Sequence, residues 1–558
     1  MLCLVLVAIA LLSSPCQAAD AGEVATSKET VKPVFYSARA PIGTVECYDF
    51  IEATVRFSDA LPRNPFMDLA ITGEFTREGG KEIKVAGFCD SADGSVYRVR
   101  FMPTEPGKYH WKISCDHGYI WDGQNPGDHT FTAIDKKRRG LLRVDPKYPW
   151  HFIWEGTGEH YYLNGETAYF LLGWEDEMVS QACVDRLAAA KVNRLRILLY
   201  GRSDHTWTEP IKPTKDFKMW LNPWVAARPD DVTNPGFDYT RFNVAYWQKV
   251  ERMVRYARDK DVAISFVMDW NDTPAHPGAG SEDERRYYRY AVARLAAYSN
   301  VCWDLGDDLD SFRDEKWTHE TGTFLHEIDP YKHLATSHPV NNEHQDRKSE
   351  WFSHTSFQAW QRPIHAWMLD QRRLQAATGR IIPQVNEEYG YEDHYPDWAP
   401  FKPPAANADG DRRAAWEIAM AGCYQTTGET AKRGTGVPPD TGGGWVNGRG
   451  DDSMTLLKLQ ALMVKFFETL PWWTLEPHDE LVADKGAFCL ARPGDLYVIY
   501  LPHGGTATVT LEAGEYEAAW YNPRTGKWSD AGKASGPKWT SPATADNEDW
   551  ALTLTRRR

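Results

Sequence analysis

Val192-Asn-Arg-Leu-Arg-Ile-Leu-Leu-Tyr200 is a nearly unbroken apolar run carrying two arginines, the pattern of a strand covered on both faces. Val262-Ala-Ile-Ser-Phe-Val-Met268 repeats the pattern, and between the two runs Trp247, Val250, Val254 and Ala257 recur at helical spacing. Further strand-like runs are Thr167 to Trp174, Asn300 to Gly306, His333 to His338, Ser353 to Gln358, Ile381 to Glu388 and Ala419 to Thr426, with helices fitting 180–191, 283–299, 411–418 and 454–468. Strand-then-helix repeated over 145–470 predicts a central (β/α)8 TIM barrel. A doubly wound open sheet is the lesser alternative, because no glycine-rich phosphate fingerprint follows the first strand.

On either side the texture is short alternating runs. Ala53-Thr-Val-Arg-Phe57, Met67-Asp-Leu-Ala-Ile71 and Tyr97-Arg-Val-Arg-Phe101, with turn signals at Pro103, Pro106-Gly107 and Pro126-Gly127, predict an N-terminal β-sandwich over 31–140. Lys136-Lys-Arg-Arg-Gly140 is the expected linker. Leu496-Tyr-Val-Ile-Tyr500, Ala507-Thr-Val-Thr-Leu511, Tyr516-Glu-Ala-Ala-Trp520 and Trp550-Ala-Leu-Thr-Leu554 predict a second β-sandwich over 475–558, with a turn at Asn522-Pro-Arg-Thr-Gly526. No internal repeat is evident.

A chain of 558 residues, 42% hydrophobic, with a mean hydropathy of -0.55, is expected to fold as two or three domains. Lys+Arg total 63 against 78 Asp+Glu, a net charge of -15, which argues against a general nucleic-acid binder or a polybasic membrane-surface protein. The 24 Trp, 26 Tyr and 22 Phe suit sugar rings and large cores equally. The apolar run Leu2 to Leu12 followed by Gln17-Ala18-Ala19 reads as a signal peptide over 1–19, so the protein is expected to be secreted or periplasmic. No Lys or Arg precedes the run, and Ser-Ser-Pro makes a poor lipobox, so lipid anchoring at Cys16 is not expected. No other run reaches about 18 apolar residues, the length a transmembrane segment needs. Cys47, Cys89, Cys115, Cys183, Cys302, Cys423 and Cys489 are odd in number and widely spaced, which predicts buried free thiols, with room for one bridge, and no zinc site.

A barrel carries its chemistry at the C-terminal ends of its strands. Two such ends are conspicuously acidic: Val301-Cys-Trp-Asp-Leu-Gly-Asp-Asp-Leu-Asp310, with Gly306 permitting a tight exit, and Ile381-Ile-Pro-Gln-Val-Asn-Glu-Glu-Tyr-Gly-Tyr-Glu392. Anions beside an apolar strand end are costly unless used or compensated. Glycosidic bond hydrolysis needs a carboxylic acid and a carboxylate together, and their mutual repulsion keeps the acid protonated.

Trp303-Asp-Leu-Gly-Asp-Asp308 resembles the strand-four signature of clan A glycoside hydrolases, Trp-x-x-Gly-Asn-Glu, and more closely the Trp-x-x-Gly-Gly-Asp of apiosidase-like hydrolases. Glu388-Tyr-Gly-Tyr-Glu392 is similar to the strand-seven motifs of both. The resemblance implies a retaining glycoside hydrolase with Asp308 as acid/base and Glu388 as nucleophile, Glu387 being the runner-up. It also implies that Arg196 lies near the nucleophile, where a guanidinium would help keep Glu388 ionised. Leu61-Pro-Arg-Asn-Pro-Phe66 and Tyr97 to Pro103 look like the β-sandwich found ahead of apiosidase-like barrels, and the C-terminal segment is similar to the collagen-binding-type sandwich that follows them. In two places the sequence departs from clan A: Asp307 replaces the Asn that holds the sugar 2-hydroxyl, and an Asp acid is one methylene shorter than Glu.

Around this pair, Trp174 and Trp445 are candidates to stack on sugar rings, Trp445 from the loop Thr441-Gly-Gly-Gly-Trp445. Asp269 and Trp270, His338 and Gln358 end their strands and are expected to contact substrate with Asp307, while Tyr391 either bonds the nucleophile or packs. Asp304 and Asp310 read as solvated or helix-capping. A carbohydrate is the expected partner, with no nucleic acid, cofactor or metal; oligomeric state, sugar and linkage stay open. Two alternatives remain: a metal-dependent hydrolase with Asp307, Asp308, Asp310 and Glu388 as ligands, and a catalytically inactive carbohydrate-binding protein.

Overall fold

The computed structural model describes residues 43–57, 63–116, 120–121, 129–203, 213–271, 273–395, 399–431, 443–450 and 454–557. The signal peptide over 1–19, Cys16, and the start of the loop before Trp445 lie outside the described residues.

The centre is a sheet of eight parallel strands: β1 (Asn164–Thr167), β2 (Arg194–Leu198), β3 (Ala263–Val267), β4 (Val301–Asp304), β5 (Ala335–Thr336), β6 (Phe357–Gln358), β7 (Val385–Glu388) and β8 (Tyr424–Ala431). Their spatial order is β5-β4-β3-β2-β1-β8-β7-β6. Between β5 and β6 the chain is joined by Ser353 N donating to Ala335 O at 2.8 Å and Thr336 Oγ1 donating to His354 O at 2.7 Å. The result is a TIM-barrel-like core. The two runs that open the reading are β2 and β3, buried at every position.

Helices α1 (Glu177–Ala189), α2 (Val244–Asp259), α3 (Glu282–Leu295), α4 (Glu315–Ile328), α5 (His365–Ala376), α6 (Ala408–Met420) and α7 (Leu456–Glu468) cover the sheet. The helical stripe Trp247, Val250, Val254 and Ala257 is the buried face of α2, whose first turn is capped by Asn243. One expectation shifts. The run Thr167 to Trp174 is not the first strand, which ends at Thr167; Leu171–Gly173 is a buried 3-10 turn. A Cβ on Gly173 would stand 1.9 Å from Lys218 O, so a backbone crossing, not a ladder, accounts for the apolar run.

Both flanks are β-rich. In the N-terminal region a six-stranded and a three-stranded sheet share one core that includes Val55, Phe75, Val99, Phe101 and Trp111. It meets α2 and α3 through a buried ion network, Arg100–Glu251 at 2.8 Å and Arg294 with Asp90 and Glu251 at 2.7 Å each. The C-terminal region is a six-stranded antiparallel sheet with a two-stranded one. Trp416 of α6 stacks on Tyr500 there at 5.1 Å, beside the buried pair Arg412–Asp549 at 2.6 Å. All seven described cysteines are free. Among the described residues no helix is long and apolar enough to cross a membrane.

Candidate active site

The acidic exit of β4 is knitted to its neighbours by backbone bonds. Asp307 N donates to Asp269 O at 3.1 Å, Leu309 N to His338 O at 3.0 Å, and His338 N to Gly306 O at 3.2 Å. A Cβ on Gly306 would approach Asp269 O to 2.9 Å, so the tight exit needs glycine. Asp308 then takes a left-handed φ of 49°, a conformation Asp tolerates better than most residues.

The exit of β7 is re-aimed by a register shift. Phe357 pairs with Asn386 and Gln358 with Glu388, so Glu387 is an extra residue opposite β6, a bulge of the kind found beside active sites. Strand alternation alone would send Glu387 and Glu388 to opposite faces. With the bulge both reach the barrel axis, at two levels. Glu387 lies in the lower level, fully buried, with both oxygens 2.7 Å from Arg194 Nη1 and a further bond from Thr426 Oγ1. Burial opposes its charge, but Arg194 prevails and holds it at about 2.

Glu388 lies in the upper level and is 8% exposed. Gln358 Nε2 donates to Asp308 Oδ1 at 2.7 Å and reaches Glu388 Oε2 at 3.5 Å. Asn271 Nδ2 donates to Asp308 Oδ2 at 3.2 Å. His338, fully buried, sets Nε2 3.5 Å from Asp307 Oδ1 and 3.6 Å from Glu388 Oε2, and its Nδ1 is 2.9 Å from Ser356 Oγ. Burial, with Arg196 nearby, pulls His338 down to about 3, so it is neutral. Asp308, Glu388, Gln358, His338 and Asp307 are thus brought together.

Arg196 stands beside the pair and favours the charged form of Glu388, but it is shared among other partners. Its guanidinium is spent on Asp307 Oδ1 at 2.7 Å, Asp304 Oδ2 at 3.1 Å and Tyr169 OH at 2.7 Å. Burial pushes Asp307 up, but Arg196, helped by the Tyr169 hydroxyl, outweighs it and leaves the carboxyl below its ordinary value. Glu388 instead stands well above the ordinary carboxylate range, raised by burial and then by the charges of Asp307 and Asp308, with Arg196 offsetting only part. Asp304, expected to be solvated or capping, is fully buried; burial raises it to about 6 against the pull of Arg196.

The remaining candidates divide. Trp270 donates Nε1 to Asp307 Oδ2 at 3.1 Å. Asp269 is occupied by protein donors, Trp270 N at 2.9 Å, His276 Nδ1 at 2.9 Å and Arg313 Nη2 at 3.4 Å. Tyr391 stacks on Trp445 at 5.2 Å, and its buried hydroxyl has no hydrogen-bond partner among the described residues. Trp174 is a second correction: it is fully buried, its Nε1 held by Asn447 O at 2.8 Å, and offers no ring face to a sugar. Sequence reasoning missed Tyr169, whose hydroxyl donates to Asp307 Oδ1 at 2.9 Å; as one ring in an apolar run it carried no polar signal. It also missed Asn342, which lies in a loop with no motif.

Asp307, His338 and Glu388 each offer an atom within 4.8 Å of the others, a geometry able to hold a cation. Arg196 already sits on the Asp307 oxygen that would ligate it. The four-acid set expected for a metal site is not assembled, because Asp310 turns away to accept Val340 N at 2.7 Å, Asn341 N at 2.9 Å and His344 Nδ1 at 3.0 Å.

Three segments of the chain match family models. Residues 215–429 match the family model described as "Apiosidase-like, catalytic domain". Residues 44–116 match a domain of unknown function, DUF5060, and 478–555 match "Putative collagen-binding domain of a collagenase". A crystal structure titled as a putative glycoside hydrolase from Bacteroides vulgatus is similar over 93% of this chain and 100% of its own, with a TM-score of 0.74 at 20% identity. A glycoside hydrolase family 5 structure from Bacteroides vulgatus covers 75% of this chain and 93% of its own, with a TM-score of 0.56 at 18% identity. At those identities the likeness concerns the fold. The search of curated proteins finds no match. Asp308 and Glu388 both fall within the segment that matches the apiosidase-like catalytic model, and the chain shares the fold of the structure titled as a putative glycoside hydrolase, with β-rich flanks on either side of that segment.

Proposed function

We propose that the protein cleaves O-glycosidic bonds of a polysaccharide or its oligomers with retention of configuration, Asp308 acting as acid/base and Glu388 as nucleophile. The observation that carries this reading is the single amide, Gln358 Nε2, within reach of both carboxylates at 2.7 and 3.5 Å. Those two lengths together bound the separation of the two oxygens below the roughly 6.5 Å at which a water-activating, inverting pair begins. In the first step Asp308 gives its proton to the leaving oxygen while Glu388 attacks the anomeric carbon. In the second, Asp308 takes a proton from the water that frees the sugar from Glu388. The competent microstate has one proton on Asp308 and none on Glu388. Burial, and then the charges of Asp307 and Asp308, oppose the ionisation of Glu388 that this microstate requires.

Asp307, held by Arg196, Tyr169 and Trp270, replaces an amide with a charged acceptor in the sugar subsite and favours a hydroxyl donor there. Trp445 and Tyr391 form an aromatic wall beside Glu388. The flanking β-rich regions, about 31–140 and 475–558, are read as β-sandwiches that frame a barrel over 145–470, and the leader over 1–19 as an export signal.

The test is a panel of polysaccharides and oligosaccharides, with products read by mass and by anomeric NMR. Retained configuration and a fluorosugar adduct on Glu388 are expected. Inversion, or the label on Glu387 or Asp307, refutes the assignment. The trio Asp307, His338 and Glu388 favours a second reading, metal-assisted hydrolysis; activity that survives exhaustive chelation removes it.

A further inference from the structure

β6 has only two residues, Phe357–Gln358, too few for a ladder of its own to fix Gln358. Side-chain amides from the loop after β5 stand in for the missing strand. Gln345 accepts Ser356 N at 3.2 Å and donates to Ser356 O at 2.9 Å. Asn342 accepts Gln358 N at 2.9 Å and donates to Gln358 O at 2.7 Å. Each primary amide thus copies the paired N–H and C=O of a strand neighbour. On the opposite side Asn386 fills the bulge, with Oδ1 accepting Ala359 N at 3.4 Å and Glu388 N at 3.3 Å and Nδ2 donating to Ala359 O at 3.1 Å.

We propose that Asn342 is a positioning residue for the reacting pair: it pins the main chain of Gln358 so that one amide nitrogen serves Asp308 and Glu388 together. The inference rests on the reading of those two acids as the reacting pair. Asn342 touches neither. It acts through Gln358, whose amide favours the charged form of each carboxyl it reaches. A shift of about 1 Å in such a group is enough to cost on the order of a hundredfold in rate.

A double-mutant cycle of Asn342→Ala and Gln358→Ala tests this in two ways. On the saccharide that the panel identifies, each single variant is expected to lose about tenfold to a hundredfold in kcat with KM little changed. The double variant then falls no further than Gln358→Ala alone. Without any substrate, infrared titration of the Glu388 carboxyl, taken as wild type minus Glu388→Gln, is expected to move to higher pH in both single variants and no further in the double. Asn342→Asp keeps the acceptor for Gln358 N and loses the donor, so it should fall between wild type and Asn342→Ala on both readouts. Additive losses in kcat, or an unmoved Glu388 midpoint in Asn342→Ala and Asn342→Asp, overturn the proposal. A wild type that cleaves no saccharide, with the midpoint moving as expected, overturns the functional reading and upholds the positioning role.

Discussion

Glu387 and Glu388 are neighbours in sequence and opposites in circumstance. Glu387 meets Arg194 and Thr426 and has nothing left to offer; its charge is stabilised to about 2. Glu388 meets one long amide contact and a neutral histidine, beside two other acids. The lower level of the barrel is a finished ion pair, and the upper level holds a surplus of negative charge. A structural carboxylate is recognised by its saturated partners and a reactive one by what it lacks.

The sharpest way to break this contrast is to exchange side chains at the two levels. Glu388→Gln is expected to lose at least about a thousandfold in turnover of the saccharide substrate, with an unchanged or higher denaturation midpoint, because it removes an unfavourable buried charge. Glu387→Ala should do the reverse in kind. Arg194, buried and also bonded to Ser265 Oγ at 2.9 Å, loses its counter-ion, and such breaks cost about 3–5 kcal/mol. Denaturant unfolding of the two variants reads both. A stable, inactive Glu387→Ala beside an active Glu388→Gln would invert the assignment.

The same two groups should pull the pH dependence of stability in opposite directions. The folded-state value of Glu387 lies below its ordinary 4.5, so its contribution is present above 4.5 and is lost as pH falls toward about 2. Glu388 lies above its ordinary 4.5, so its contribution is present below 4.5 and is lost as pH rises through its folded value. Stability relative to wild type should therefore improve with rising pH for Glu388→Gln and with falling pH for Glu387→Gln. Midpoints measured between about pH 3 and pH 8 decide it, and parallel curves for the two variants would mean that the levels are not electrostatically distinct.

What the sequence revealed and what it hid follow the same physics. β2 and β3 were legible because strands buried on both faces must be apolar throughout. The acidic exits of β4 and β7 were legible because acids beside a buried run must be either used or compensated. Which of two adjacent glutamates faces the mouth was not legible, since the bulge that decides it is held by Asn386 and Asn342, side chains without any motif. The position of β1 was misread for a related reason: an apolar run reports burial, and the buried 3-10 turn at Leu171–Gly173 needs it as much as a strand does. Tyr169, just past that strand, was therefore not singled out although its hydroxyl joins Arg196 to Asp307.

The smallest expected effect concerns Asp310, which shares the acidic exit with Asp308 yet belongs to neither level. Its two oxygens accept Val340 N and Asn341 N and so staple the loop that carries Asn342. In Asp310→Asn the amide oxygen keeps one of these N–H groups and the amide nitrogen faces the other. A net bond of about 0.5–1.5 kcal/mol is at stake, part of it taken up by local rearrangement at a partly exposed site. Turnover should fall by about threefold, with KM unchanged and an intact Glu388 titration. A loss of activity as deep as that of Asp308→Asn would instead place Asp310 among the groups that act on substrate or hold a cation, and would reopen the four-acid arrangement that its bonds to the loop now exclude.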